Sequence, residues 1–306
     1  MRALITGVSG FVGRHLADHL RAMGDDVEGC DRADGSVDIG NLESVQSVVD
    51  RVRPEVVYHL AGWSDVGGSW AAPIEVFRAN AEGTLNVLLA CARARVDRVL
   101  AVSSADVYGI VREDELPITE DTPLRPVTPY AASKVSADYL ALQAWLGTKL
   151  PVLRVRAFNH LGPGQTPKFV APAVAERIAR NEVEGGTIVP IGNSSARRDF
   201  TDVRDVVRAY RLLVERGEAG EAYNVCSGRT VSVGELAERL LAMADTAMTL
   251  QGDPSLERPV DVPVLWGDYS KLHRATGWSP EIALDQTLRV LLDDMRNRVR
   301  SDAGTP

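Results

Sequence analysis

A doubly wound, parallel α/β sheet is the fold class that this 306-residue chain predicts, from three observations. Short apolar runs recur along the chain, and helical patterns separate them. The first run leads into a glycine-rich turn and then an amphipathic helix. The runs are nearly continuous rather than alternating, as expected of strands covered by helices on both faces.

Arg2-Ala3-Leu4-Ile5 reads as the first strand. Thr6-Gly7-Val8-Ser9-Gly10-Phe11-Val12-Gly13 follows as the turn, and the helix continues through Leu16 and Leu20 to about Met23. A strand, a glycine turn and a helix N-terminus make a Rossmann-type dinucleotide site. Gly7 permits the tight turn, Gly10 admits the pyrophosphate to the backbone, and Gly13 lets the helix pack on the sheet. Ser9, Phe11 and Val12 complete the expected cofactor contacts there. The second strand, Asp26-Val27-Glu28-Gly29-Cys30, ends at Asp31. Its carboxylate suits the adenosine ribose hydroxyls and repels a 2′-phosphate. NAD(H) is therefore favoured, with NADP(H) tolerated through the neighbouring Arg32. Val37-Asp38-Ile39 is placed against the adenine, Asp38 accepting from its amino group. The alternative for Asp38 is an acid ahead of the helix expected over 41–52.

Glu55-Val56-Val57-Tyr58-His59-Leu60, Arg98-Val99-Leu100-Ala101-Val102, Val152-Leu153-Arg154-Val155-Arg156 and Ala222-Tyr223-Asn224-Val225 are the further strands. Ligands of such sheets bind beyond the carboxyl ends of the strands. Leu60-Ala61-Gly62 is small enough for the cofactor to lie across it. At the next strand end, Ser104 is read as hydrogen-bonding a substrate oxygen, and Ser103 as a turn hydroxyl bonding its own backbone. Asn159 faces the same crevice. Tyr130-Ala-Ala-Ser-Lys134 sets a phenol and an ammonium one helical turn apart on one face. A phenol titrates near about 10, and a lysine charge at that spacing favours the phenolate, bringing it into range for acid–base work.

A net charge of −8 with no Lys/Arg cluster argues against a nucleic-acid partner. Cys30, Cys91 and Cys226 have no metal-ligand spacing, and the histidines are unpaired, so no metal site is expected. Separated cysteines, no signal peptide and no membrane-spanning apolar run lead to the expectation of a cytoplasmic protein. Residues 1–160, with a return segment at about 196–226, are expected to form the dinucleotide-binding domain. Residues 161–306 are expected to form mainly a smaller, discontinuous C-terminal substrate-binding lobe, with 301–306 a loose tail.

Thr6-Gly7-x-x-Gly10-Phe11-x-Gly13, Asn80-x-x-Gly83-Thr84, Ser103-Ser104-x-x-Val107-Tyr108-Gly109, Tyr130-x-x-x-Lys134 and Arg198-Asp199-Phe200-Thr201-Asp202-Val203 occur in that order. With them the chain resembles, over nearly all its length, the nucleotide-sugar branch of the extended short-chain dehydrogenase/reductase family. The resemblance implies a catalytic set of Ser104, Tyr130 and Lys134, with Lys134 also holding the nicotinamide ribose, and Asn80 beside the cofactor. Arg198 and Arg258 look like the arginines that clamp a substrate diphosphate, with Asp261 a candidate for the nucleotide ribose; for Arg197 a place in the site and a solvated neighbour of Arg198 stand open equally. Lys168-Phe169-Val170 and Ile191-Gly192-Asn193 fall in the loops that read the nucleotide.

Phe158-Asn159-His160-Leu161-Gly162-Pro163-Gly164-Gln165, then Gly192-Asn193, then Arg198 to Asp205 look most like GDP-6-deoxy-4-keto-D-mannose reductases. The related GDP-mannose 4,6-dehydratases usually run longer. A reductase would use Tyr130 to protonate the oxygen at carbon 4, giving GDP-D-rhamnose from a GDP-4-keto-6-deoxy sugar. A dehydratase would need Asp106 as the carbon 5 base, and aspartate is one methylene shorter than the usual glutamate. A misplacement of about 1 Å can cost on the order of a hundredfold in rate. Another nucleotide-sugar epimerase, and a non-catalytic dinucleotide sensor, are the remaining alternatives. Family members commonly form homodimers through a four-helix bundle, here expected from 73–94 and 129–145.

Overall fold

The computed structural model describes residues 1–303 apart from 34, 258, 259 and 261. The chain starts with β1 (Arg2–Thr6), α1 (Phe11–Ala22), β2 (Asp26–Cys30), α2 (Leu42–Val52) and β3 (Val56–His59), a strict strand–helix alternation. One helical run then covers the expected 73–94, as α3 (Pro73–Phe77), a π turn at Arg78–Glu82 and α4 (Gly83–Ala94). β4 (Arg98–Ser104) extends two residues past its expected end and so includes both serines. α5 (Pro129–Gln143) follows, running on through a π turn at Ala144–Thr148, and then β5 (Val152–Ala157).

The second half of the chain is less regular. It holds β6 (Asn159–Leu161), α6 (Val170–Glu184), β7 (Ile188–Ile191), β8 (Arg197–Arg198) and β9 (Phe200–Asp202). Next come α7 (Val203–Arg216), β10 (Ala222–Val225), β11 (Val231–Ser232), α8 (Val233–Leu241) and β12 (Thr249–Gly252). β13 (Val264–Leu265), α9 (Ser270–Thr276) and α10 (Leu284–Ala303) complete it. α10 carries Ser301 and Asp302, so these residues are helical and not the loose tail expected.

Six strands form the main sheet in the order β2-β1-β3-β4-β5-β10, all parallel. β1 pairs with β2 on one side and β3 on the other, Thr6 standing opposite both Cys30 and His59. The strand order reverses there, so the crevice for a ligand opens just beyond Thr6, at Gly7. Leu16 and Leu20 of α1 and Val206, Tyr210 and Leu213 of α7 cover one face. Val45 and Val49 of α2, Val87 and Leu88 of α4 and Ala141 of α5 cover the other. Each such fully buried side chain is worth about 1.5–3 kcal/mol. A separate core joins Ile178 of α6, Leu236 of α8 and Leu288 and Leu292 of α10 beside the sheet's carboxyl edge elements β6 and β9.

Candidate active site

The glycine turn is built so tightly that no side chain fits. Gly7 has φ +78°, and a β-carbon there would lie 2.8 Å from Ala61 N; one on Gly13 would lie 2.2 Å from Gly7 O. Gly10 is the N-cap of α1 and offers no side-chain acceptor, and the first turn holds no acid. The free N–H groups and the helix dipole therefore favour an anion at this point, which fits a dinucleotide diphosphate. Asp31 receives Ser9 N–H on Oδ2 (3.2 Å) and Ala33 N–H on Oδ1 (3.1 Å), tying the turn to the end of β2. Arg32 beside it is exposed. The Phe11 ring stacks on His160 (6.1 Å, 12°) and meets His15 edge-on, while Val12 packs on the core. Asp38 is exposed and takes Gly40 N–H at 3.0 Å; the N-cap of α2 is Asn41, not Asp38. Ile39 packs over Gly83, where a β-carbon would strike it at 2.7 Å.

Behind the crevice a polar brace explains the Asn80-x-x-Gly83-Thr84 pattern. Thr84 Oγ1 donates its only proton to Asn80 O (2.6 Å), so His59 Nε2, 3.0 Å away, must be the donor toward it. His59 Nδ1 then accepts from Thr6 Oγ1 at 2.8 Å. The ring is neutral, its pKa pushed down to about 3 by burial and then by the charge of Lys134. Asn80 sits in the π turn, accepts Trp63 N–H (2.8 Å) and donates to Ser133 Oγ (2.9 Å) and Trp63 O (3.2 Å). Its amide thus braces the Leu60-Ala61-Gly62 segment against α5, and a β-carbon on Gly62 would meet Asn80 Oδ1 at 2.5 Å.

α5 begins where Thr128 Oγ1 accepts Ala131 N–H (3.0 Å) and Pro129 takes the first helical position. One turn along it, Tyr130 and Lys134 are both buried. The Tyr130 phenol lies near enough to Ser104 for the serine hydroxyl to act on its pKa. Ser104 Oγ also donates to Asp106 Oδ2 (3.1 Å) and accepts Asp106 N–H (3.2 Å). Ser104 is therefore the serine whose hydroxyl turns onto local backbone. Ser103, expected to do so, lies inside β4 with a buried Oγ that has no partner among the described residues.

The protonation pattern corrects a further expectation. Burial foremost, and the charge of Asp106 next, hold the Tyr130 phenol above its ordinary pKa, and the Ser104 hydroxyl lowers it only in part. Lys134 does not enter: its Nζ donates to Val102 O at 3.0 Å, and burial pulls its pKa down to about 8. Tyr130 is neutral at neutral pH, as an ordinary phenol also is, a state compatible with proton donation.

Beside the N-terminus of α5 lies a small cleft lined by Val66, Asp106, Val127, Thr128, Ala131, Arg198, Val260 and Val262. The structure therefore brings Arg198 to the same space as Asp106. Arg198 Nη1 donates to Arg197 O (2.9 Å). Arg197 is half-buried and reaches Thr230 O (3.2 Å) and Glu235 (3.5 Å), which ties it to β11 and α8. Asn159 is half-buried on β6, opposite Phe200 of β9. Asn193 Oδ1 is bonded to Ser195 N–H (3.1 Å) and Oγ (2.7 Å), holding its own turn. Lys168 is exposed, Phe169 is the N-cap of α6, and Val170 packs on the core between α6 and α10. Arg258 and Asp261 lie outside the described residues. Thr128 and the cleft valines escaped the sequence reading, although Thr128-Pro129 is a recognisable helix start. Among the described residues no cluster of His, Cys, Asp or Glu could hold a metal.

A family model described as GDP-mannose 4,6 dehydratase matches residues 35–291. The GDP-6-deoxy-D-mannose reductase of Pseudomonas aeruginosa is 38% identical over 304 residues, covering 98% of this chain and 99% of that protein. A solved structure of RMD from Pseudomonas aeruginosa complexed with NADPH superposes with a TM-score of 0.87 at 37% identity, covering 97% of this chain and 98% of that one. The UDP-glucose 4-epimerase of Thermus thermophilus, in complex with NAD, also gives 0.87, at 29% identity over 97% and 99% of the two chains.

Proposed function

The chain belongs to the GDP-mannose 4,6-dehydratase family of extended short-chain dehydrogenase/reductases, and from that premise we propose that it reduces the 4-keto group of GDP-4-keto-6-deoxy-D-mannose to GDP-D-rhamnose. The observation that carries the reading is a placement: Tyr130 and Lys134 are buried one turn apart on α5, near Ser104 at the end of β4 and next to a cleft lined by Asp106 and Arg198.

A nicotinamide dinucleotide, when bound, supplies the hydride; the Gly7-to-Gly13 turn and the N-terminus of α1 would hold its diphosphate, and Lys134 its nicotinamide ribose. Tyr130 gives its proton to the oxygen at carbon 4 as charge develops there. Ser104 turns its one proton from Asp106 Oδ2 to the same oxygen, while the N–H of Asp106 holds the hydroxyl oxygen at the end of β4. Arg198 offers a guanidinium fork to the substrate diphosphate. Asp31 favours NADH through repulsion of a 2′-phosphate, and the exposed Arg32 lets NADPH serve as well. A second reading has one observation in its favour: Asp106 lines the cleft and would be the carbon 5 base of a dehydratase.

Assembly as a homodimer is part of the proposal. Ile74, Phe77 and Leu89 on one helical run and Tyr139 and Leu146 on the other leave apolar side chains exposed, the surface a four-helix bundle would cover. Three buried cysteines outside any disulfide suit a reducing cytoplasm, and among the described residues no helix is long and apolar enough to cross a membrane.

Two parallel assays on the purified protein test this. One supplies GDP-4-keto-6-deoxy-D-mannose with NADH or NADPH, the other GDP-mannose without reductant. Cofactor oxidation in the first alone is the expected result. A keto sugar formed in the second would establish the dehydratase.

A further inference from the structure

The two halves of the proposed catalytic set reside on different elements, Tyr130 and Lys134 on α5 and Ser104 and Asp106 at the end of β4. Lys134 Nζ ties α5 to β4 at Val102 O (3.0 Å), yet the phenol and the serine hydroxyl must also meet at a carbonyl oxygen within hydrogen-bond reach. A buried side-chain network joins them from behind. Asp138, one turn past Lys134 and 2% exposed, takes Arg154 Nη1 (2.7 Å) and Arg156 Nη2 (3.2 Å) on Oδ1 and Arg156 Nε (3.0 Å) on Oδ2. Arg156, 5% exposed, uses its remaining nitrogen on the other half: Nη1 donates to Tyr108 Oη (3.1 Å) and Glu120 O (2.9 Å). Its guanidinium also lies over the Tyr108 ring, 5.3 Å from the centroid. Tyr108 closes the short turn that starts at Ser104, and its hydroxyl donates onward to Asn224 Oδ1 (2.6 Å) on β10.

We infer that Arg156 is a positioning residue for the reaction: its fork holds Asp138 of the catalytic helix and Tyr108 of the serine turn together, and so sets the separation of Tyr130 and Ser104. A buried guanidinium and carboxylate, with a second guanidinium half-buried beside them, are a poor way to gain stability, since well-packed apolar residues of similar volume would do as well. What the arrangement supplies instead is direction. Each of the three nitrogens of Arg156 has a fixed target, and a lysine ammonium has no planar fork to match them.

The inference rests on the reductase reading, and the test separates the two. Arg156→Lys and Tyr108→Phe, the second removing only one hydroxyl, would be compared with the unaltered protein in three ways. Both variants should melt cooperatively. In R156K, kcat per folded molecule should fall about ten- to hundredfold with KM moving less than about threefold, and Y108F should show a smaller loss of the same kind. Crystal structures of R156K and of the unaltered protein should show Tyr130 Oη and Ser104 Oγ farther apart in R156K. Unchanged kcat in both variants, or an unchanged Tyr130–Ser104 separation in R156K, would overturn the inference and leave the network a matter of stability. Absence of turnover in the unaltered protein would sink the reductase reading alone, because the crystal comparison needs no substrate.

Discussion

Ser104 gives its proton to Asp106 Oδ2 at 3.1 Å while its oxygen receives Asp106 N–H at 3.2 Å, so one carboxylate holds the orientation of the serine. Asparagine at 106 keeps both the backbone N–H and a side-chain acceptor, and loses only the capacity to take up a proton. A ketoreductase should therefore keep turnover within about tenfold in D106N, whereas Ser104→Ala should lose on the order of a hundred- to a thousandfold, as for an oxyanion donor. A steady-state comparison of the two variants with the keto substrate decides this. Loss in D106N as deep as in S104A would mean that Asp106 acts as a base.

The raised pKa of Tyr130 predicts that reduction needs no ionisation of the phenol before catalysis. Tyr130→Phe should lose about a hundred- to ten-thousandfold in kcat and still bind cofactor, as seen by nicotinamide fluorescence. The group that titrates within reach is Lys134, charged below about pH 8 and neutral above it. Its charge is needed beside the ribose and the phenol. The rate of reduction should thus be level through neutrality and fall as pH rises past about 8. His59 contributes no limb between, since its pKa is held at about 3. A kcat profile that instead rises through pH 8 would show Tyr130 working as a base, in the manner of an oxidising or dehydrating enzyme.

The parallel sheet was legible because its central strands are largely apolar runs, interrupted in β5 by Arg154 and Arg156, and Val56–His59, buried at all four positions, is the clearest case. The glycine turn was legible for a comparable reason, since Gly7 and Gly13 stand where a β-carbon collides with backbone. The roles of polar residues were less so. Asn80 carries a family motif, yet its amide braces Trp63 and Ser133, a fact set by a π turn that no spacing reports. Lys134 and Tyr130 share a helix face as expected, but burial dominates both pKa shifts, and burial depends on strands far away in sequence. α7 could have been found: Val203, Val206, Val207, Tyr210, Leu213 and Val214 repeat at helical spacing behind the N-cap Asp202. The two-residue strands β8, β11 and β13 could not, because so short a run has no period.

Cofactor choice turns on Asp31 and Arg32. Asp31 already accepts two backbone N–H groups, which anchors its charge at the end of β2 where a 2′-phosphate would come closest. Arg32 is exposed and is the side chain that could neutralise that phosphate. Arg32→Ala should raise KM for NADPH about tenfold or more while changing KM for NADH by less than about twofold, a loss typical of one charge-assisted contact. Equal losses with both reductants would place Arg32 away from the phosphate.

The exposed apolar side chains of the two helical runs are too regular to be scattered surface residues. Tyr139 (56% exposed) and Leu146 (60%) stand seven residues apart on one face of α5 and its extension, and Ile74 (63%) and Phe77 (52%) lie on the neighbouring run. Seven residues are two helical turns, so the pair forms the stripe a helix presents to another helix. A stable pairing of this kind would bury more than about 1,000 Å² in total. The unaltered protein should then sediment as a dimer at micromolar concentration, and the double variant Tyr139→Asp, Leu146→Asp as a folded monomer. Both lie on the outer side of α5, opposite the buried Tyr130 and Lys134, so the monomer should keep cofactor binding. A dimer that survives both charges would move the interface elsewhere, and an unaltered protein that sediments as a monomer would remove it.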